Sequence, residues 1–302
     1  MPLAFATLTK AGQTRRLKHL ATLALAEYDV PVPGLTLLPN GWNTNFRVGK
    51  DHVLRVRPTS ATFAEAETTW LTALAKDTTL GVPEPAPTRT GEYVTTVTTP
   101  DVPGPRTCVL YRWVEGRFHK TLTPADAHQV GEFTAHLQNH GKTMPPLARN
   151  RVDTLPPNAA ELAALHSPEA ARLFEKAITR ITATQSALTS EGLIHADLHQ
   201  DNFLFHHGEV RAIDFDDCGY GPHLYDLAAT ISELDDPTLR APLLAGYRTV
   251  NPLDHEEALE DLILLRRLQL TTWVVQERHD PQFRTTWADT LARTVTRLAQ
   301  AS

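Results

Sequence analysis

Two acids and an amide, Asp197, Asn202 and Asp214, stand at intervals that point to chemistry. Asp197 and Asn202 share the polar stretch His195-Ala196-Asp197-Leu198-His199-Gln200-Asp201-Asn202. Phe203-Leu204-Phe205 follows, then a His207-Gly208-Glu209 turn, then Val210-Arg211-Ala212-Ile213, which ends in Asp214-Phe215-Asp216-Asp217. Apolar runs on either side of a Gly-containing turn predict a β-hairpin. Folding the second run back carries Asp214 toward Asn202, with Asp197 on the adjoining loop. Two carboxylates and an amide at one edge of a small sheet are hard oxygen donors, the set that suits a magnesium ion and a phosphate. Asp and Asn also cap turns for structural reasons alone. The three in this order, with a hairpin between them, favour chemistry.

Asp, four intervening residues, Asn, a hairpin and then Asp-Phe is the protein-kinase-like order of catalytic base, metal-binding amide and metal-binding carboxylate. His195-Ala196-Asp197-Leu198-His199, followed by Ile213-Asp214-Phe215-Asp216, resembles one branch closely. That branch is the aminoglycoside phosphotransferase family, which also holds homoserine, choline and methylthioribose kinases. The resemblance runs from about Leu38 to Thr230, and the rest matches only as a helical tail. It implies an α+β, two-lobed protein-kinase-like fold. Residues 1–114 form a nucleotide-binding lobe, a small antiparallel sheet with one helix; residues 115–302 form a larger, mainly helical lobe carrying the catalytic loop and hairpin. The implied reaction uses ATP and Mg2+ to phosphorylate an alcohol group of a small molecule (aminoglycoside-, homoserine- or amino-alcohol-like). By the same resemblance Asp197 accepts the substrate hydroxyl's proton or orients that hydroxyl, and Asn202 and Asp214 hold the metal. His195, His199 and Asp216 stand in supporting positions. Asp226, in Tyr225-Asp226-Leu227-Ala228, matches a residue that braces the catalytic loop's backbone; an Asp in a first helical turn also favours the helix dipole.

The elements that must position these residues are legible by period. Phe46 and Val48 alternate with Arg47, Gly49 and Lys50 turn the chain, and Val53-Leu54-Arg55-Val56 returns it. Leu37–Asn45, with Gly41 and Asn43, occupies the place of a phosphate-covering loop, although it holds one Gly where a protein kinase has three. Arg55 stands where the kinase pattern has a phosphate-binding Lys. It keeps the charge and adds a fork suited to phosphate or carboxylate, but the two side chains are not interchangeable. Phe63, Ala66, Trp70, Leu71 and Leu74 fall at helical spacing, and that helix offers Glu67 as the partner of Arg55, with Glu65 in reserve. Val94–Thr99 and Thr107–Val114 complete the sheet, and the latter resembles the family's adenine-binding hinge, with Leu110 and Trp113 packing nearby. Downstream the period becomes 3.6. Thr123 and Pro124 open one helix. Ser167-Pro168 opens another, striped by Phe174, Ile178, Ile181 and Leu188 and ended by Gly192, which delivers the chain into the His195 loop. The tail helices read as core.

Apolar residues at 41% and charged residues at 21% are ordinary for a globular protein, and the net charge of −6 gives no basic footprint for nucleic acid. No apolar run approaches the roughly 20 residues that span a bilayer. Cys108 and Cys218 cannot make a disulfide framework, so a reducing, cytoplasmic setting is expected. The basic, Ala/Leu-containing N-terminus reads as a helix. Oligomeric state is not legible. Three alternatives share some of these features. A protein Ser/Thr kinase needs an activation segment, yet only eleven residues separate Asp214 from Asp226. A metallohydrolase using His195, Asp197 and His199 leaves Asn202 and the hairpin unexplained. A non-catalytic nucleotide-binding module does not need Asp197.

Overall fold

The computed structural model describes residues 5–31, 34–38, 43–58 and 60–300. In chain order the elements are α1 (Lys10–Leu25), β1 (Leu35–Leu37), β2 (Thr44–Val48), β3 (His52–Arg57), α2 (Ala61–Asp77), β4 (Val94–Val97), β5 (Arg106–Arg112), α3 (Pro124–Gly141), α4 (Ala159–Ala163), α5 (Pro168–Ala187), β6 (Glu191–Ile194), β7 (Phe203–His206), β8 (Glu209–Ala212), β9 (Gly219–Pro222), α6 (Leu224–Ser232), α7 (Arg240–Arg248), α8 (Leu259–Gln276) and α9 (Trp287–Gln300). They fall into two compact units, residues 1–117, 144–149 and 204–216 in one and residues 118–143, 150–203 and 217–302 in the other.

In the first unit an antiparallel sheet runs β1-β2-β3-β5-β4. Strand alternation sorts its residues by face. Phe46, Val48, Leu54, Val56, Cys108 and Leu110 pack with Leu20, Ala24 and Leu25 of α1 into one core. The opposite face of β3 carries Arg55 and Arg57 toward Glu67 of α2. Among the described residues the unit holds the expected Glu67 helix and, at α1, the helix that the N-terminus reads as. The β7–β8 hairpin, expected with the larger lobe, packs here instead. Arg117 and Phe205 exchange backbone hydrogen bonds at 3.0 and 2.9 Å, and the Ala212 N–H donates to the Gly81 carbonyl at 2.9 Å. Its turn uses left-handed backbone at His207 (φ 51°) and Gly208 (φ 83°), the conformation that Gly adopts without steric cost.

The second unit is mainly helical. Thr123 and Asp126 form a capping box at the start of α3. Gly131 of α3 and Gly246 of α7 let the two backbones touch. A Cβ at Gly131 would lie 2.0 Å from the Leu243 carbonyl oxygen, and one at Gly246 would lie 1.8 Å from that of His128. This close approach sets Gln138, whose Oε1 accepts from the Tyr247 hydroxyl at 2.8 Å. Helix α5 ends at Ala187, not at Gly192. Gly192 lies in β6, which pairs with β9 from Glu191↔Pro222 to Ile194↔Gly219; partner-strand hydrogen bonds override the local stop signal. Among the described residues no helix is long and apolar enough to cross a membrane.

Candidate active site

The His195–Asn202 loop of the second unit is built on a strained backbone and a buried acid. Ala196 adopts φ 70°, left-handed geometry that costs a non-glycine residue of order 1–3 kcal/mol and persists only where the surroundings over-determine it. Asp226, fully buried, supplies that determination. Its carboxylate accepts the Ala196 N–H at 2.7 Å, the His195 N–H at 3.3 Å and the Gln138 amide at 3.2 Å. Burial pushes the Asp226 carboxyl up to about 6, although these hydrogen bonds pull the other way. The Thr230 hydroxyl ties down the Leu198 carbonyl at 2.8 Å. The His195 ring is buried, and its Nδ1 accepts the Asp197 N–H at 3.2 Å. Among the described residues no group of three or more His, Cys, Asp and Glu could hold a metal ion, so the His195–Asp197–His199 zinc triplet is not assembled.

Asp197 itself is gripped on both oxygens. Oδ1 pairs with Arg266 of α8. Oδ2 accepts the Asn202 Nδ2 at 3.1 Å and faces His199 Nε2 at 3.4 Å. Burial raises the Asp197 carboxyl, but the His199 bond and the Arg266 charge outweigh it and hold the group at about 2. The other ring nitrogen of His199 lies 3.7 Å from Glu233, which also meets Arg266 at 3.5 Å. Burial lowers the His199 pKa, but the bond and charge of Asp197, with Glu233, leave it above its ordinary value. Asn202 uses Nδ2 for its bonds to the Asp197 carbonyl and carboxylate, so its Oδ1 is the atom left for a cation.

A second charge cluster lies in the first unit. Glu67 meets Arg55 Nη1 at 3.4 Å, Arg57 Nη2 at 2.7 Å and the Tyr111 hydroxyl at 2.8 Å; Glu65 is exposed. Asp214 lies 2.9 Å from Arg55 Nη2, yet its buried Oδ1 has no directed hydrogen bond. The contact is one of charge, and the lone pairs stay open. Asp214 also takes left-handed backbone, φ 67°. Asp216 pairs with Arg57 and accepts the Asn43 amide at 2.8 Å. Burial raises the Asp216 carboxyl, and Arg57 and Arg55 bring it below the ordinary value. Arg149 donates to the Asp216 carbonyl.

Two residues expected near an adenine are occupied elsewhere. Leu110 is fully buried in the α1-side core, and Trp113 lies under the Arg47 guanidinium, 3.8 Å from ring centroid to Cζ. Gly41 lies outside the described residues. Arg57, Tyr111, Glu233 and Arg266 escape sequence reasoning. Arg57 carries a usable signal, since two residues on from Arg55 in a strand is the same face. Arg266 carries none, because it sits in an apolar helical tail.

A loop braced from a helix, a hairpin ending in paired acids, an antiparallel sheet and a set of helices are the parts of a protein-kinase-like α+β scaffold. A model of the phosphotransferase enzyme family (APH) matches residues 34–262, and the chain belongs to that family. It is 31% identical over 202 residues to a homoserine kinase of Chelativorans sp. (strain BNC1), covering 58% of each chain. It is 51% identical over 37 residues to the amicoumacin kinase of Bacillus subtilis (strain 168), 12% of this chain and 11% of that one. The chain thus spans at most 58% of the length of these curated relatives. Among solved structures, a microcompartment-associated aminopropanol kinase superposes with a TM-score of 0.80 at 28% identity, covering 93% of this chain and 96% of that one.

Proposed function

We propose that the chain transfers the γ-phosphate of ATP to a hydroxyl group of a small molecule. The observation that carries this reading is the setting of Asp197, a carboxylate fixed by Arg266 on a loop that Asp226 holds in place. A carboxyl held at about 2 is a weak base. It therefore aligns the acceptor hydroxyl and receives the proton late, as the bond to phosphorus forms, which suits a loose transition state. The hydroxyl oxygen bonds to the γ-phosphorus, the bond from that phosphorus to the β–γ bridging oxygen breaks, and ADP leaves.

Asp214 fits a magnesium ion by donor chemistry, through an oxygen that is buried without a hydrogen bond, and Asn202, in the second unit, keeps for a cation the amide oxygen that its Nδ2 bonds leave over. Bound there, magnesium would neutralise charge on the phosphate oxygens. Arg55, beside Asp214, and Asn43, with a buried unpartnered Oδ1, are the further residues assigned to the nucleotide side. The likeness to a homoserine kinase and an aminopropanol kinase supports a small amino alcohol or hydroxy amino acid as acceptor. The stretch from Asp214 to Asp226 is used up by a 3-10 turn, β9 and the start of α6, which disfavours a protein acceptor that needs an activation segment. Two buried free cysteines, Cys108 and Cys218, suit the cytoplasm.

The test is ADP release from Mg·ATP across a panel of small alcohols. Asp197→Asn should cut transfer by about 10²–10⁴-fold while ATP still binds. Transfer near the parental rate in both Asp197→Asn and Asp197→Ala would sink the reading.

A further inference from the structure

We propose that Arg57 is a positioning residue that takes over the helix glutamate Glu67 and so releases Arg55 to serve Asp214 and the nucleotide phosphates. This rests on the reading above, in that the nucleotide meets Arg55 and Asp214. The geometry divides two tasks between two arginines on one face of β3. Arg57 is fully buried, with Nη2 2.7 Å from Glu67 Oε2 and 3.2 Å from the Tyr111 hydroxyl, and Nη1 on Asp216. Arg55 reaches Glu67 only at 3.4 Å and has its shorter contact, 2.9 Å, with Asp214. The short bonds to Glu67 thus come from Arg57 and Tyr111, and Arg55 is the outlying partner.

The two arginines and two of the acids form a ladder. Residues 55 and 57 are separated by two strand steps, roughly 6.6 Å; Asp214 and Asp216 are also two residues apart, and each arginine meets one of them in order. Phe215, between the acids, packs edge-on against Trp70 of α2 with 5.4 Å between ring centroids. A non-glycine residue at φ 67° needs such fixing from both sides, and Asp214 is that residue. A wholly buried arginine is also a poor device for stability alone, because well-packed apolar residues in place of a buried ion pair are often neutral or stabilising. Holding the acid-bearing segment at a set distance from β3 is a task that an apolar side chain cannot do.

The experiment is calorimetric titration of ATP at a series of magnesium concentrations, with thermal unfolding in parallel, on the parental chain, Arg57→Lys, Arg57→Met and Asp216→Asn. Lysine keeps the charge but not the fork. In folded Arg57→Lys and Asp216→Asn the magnesium concentration for half-maximal ATP binding should rise about 10-fold or more, the size of effect seen when a residue that orients a metal ligand is removed. The acceptor KM should stay at the parental value. Combining Arg57→Met with Asp216→Asn should shift the magnesium requirement no further than Arg57→Met alone, since both remove the same rung. A purely structural Arg57 would lower the melting temperature and leave the magnesium requirement unchanged in the folded Arg57→Lys and Asp216→Asn proteins, and that result overturns the proposal. A parental chain that binds Mg·ATP but phosphorylates no acceptor sinks the transfer reading and leaves the ladder open to the same titration. A parental chain that binds no Mg·ATP overturns both.

Discussion

Each unit uses an arginine from a regular element to grip a carboxylate on a loop with a left-handed residue, yet the two grips differ in kind. In the first unit Arg55 and Arg57 come from one strand and meet three acids, Glu67, Asp214 and Asp216, with Tyr111 as an added donor. The Asp214 oxygen remains without a directed hydrogen bond. In the second, one arginine of a tail helix serves Asp197 and Glu233, and the Asp197 carboxylate is engaged on both oxygens. An acid left open beside a cation suits a ligand that brings its own charges. A carboxylate held ionised suits a neutral hydroxyl, which it has only to align.

The largest effect is expected at Arg266, which carries the second grip alone. Its side chain and that of Asp197 are 10% and 19% exposed, so Arg266→Met leaves a mostly buried carboxylate with less compensation. Stability should fall by about 3 kcal/mol, the lower end for breaking a buried pair, read from urea unfolding. The parental Asp197, held at about 2 against an ordinary 3.8, contributes stability that is present above 3.8 and lost as pH falls through about 2. In Arg266→Met the folded value moves up toward 3.8, so that loss should be smaller and should end at a higher pH.

Asp226, in the same unit, should respond to pH with the opposite sign. Burial raises its folded pKa from 3.8 to about 6, so its contribution is fully present below 3.8 and is lost as pH rises through about 6. Urea midpoints should show that downward slope in the parental protein and lack it in Asp226→Asn, which does not titrate. An unchanged slope would place the titrating group elsewhere.

The smallest expected effect is at Tyr111. Tyr111→Phe removes the hydroxyl that donates to Glu67 and accepts from Arg57 and keeps the ring, so a loss of about 1–2 kcal/mol is expected. A loss several times larger would mean that Tyr111, and not Arg57, is the main anchor of Glu67.

Local signals account for much of what was legible. The order Asp197, Asn202, hairpin, Asp214 depends on neighbours in the chain, and so do the Thr123–Asp126 capping box and the turn at Gly208. Alternation in β3 could also have found Arg57 once Arg55 was singled out. Other features were not legible because their causes lie far along the chain. Gly192 looks like a helix stop and becomes a strand residue because β9 pairs with it. Leu110 looks available to a ligand and is consumed by the α1-side core. Arg266 stands 69 residues from the carboxylate it holds.

Residue type and short spacing, which belong to the chain, were enough to mark the groups that can do chemistry and the family pattern they follow. Which arginine holds which acid, the packing of the hairpin with the first unit and the ionised state of Asp197 depend on the folded arrangement. Charge pairing and desolvation act through space, and their partners are chosen by packing.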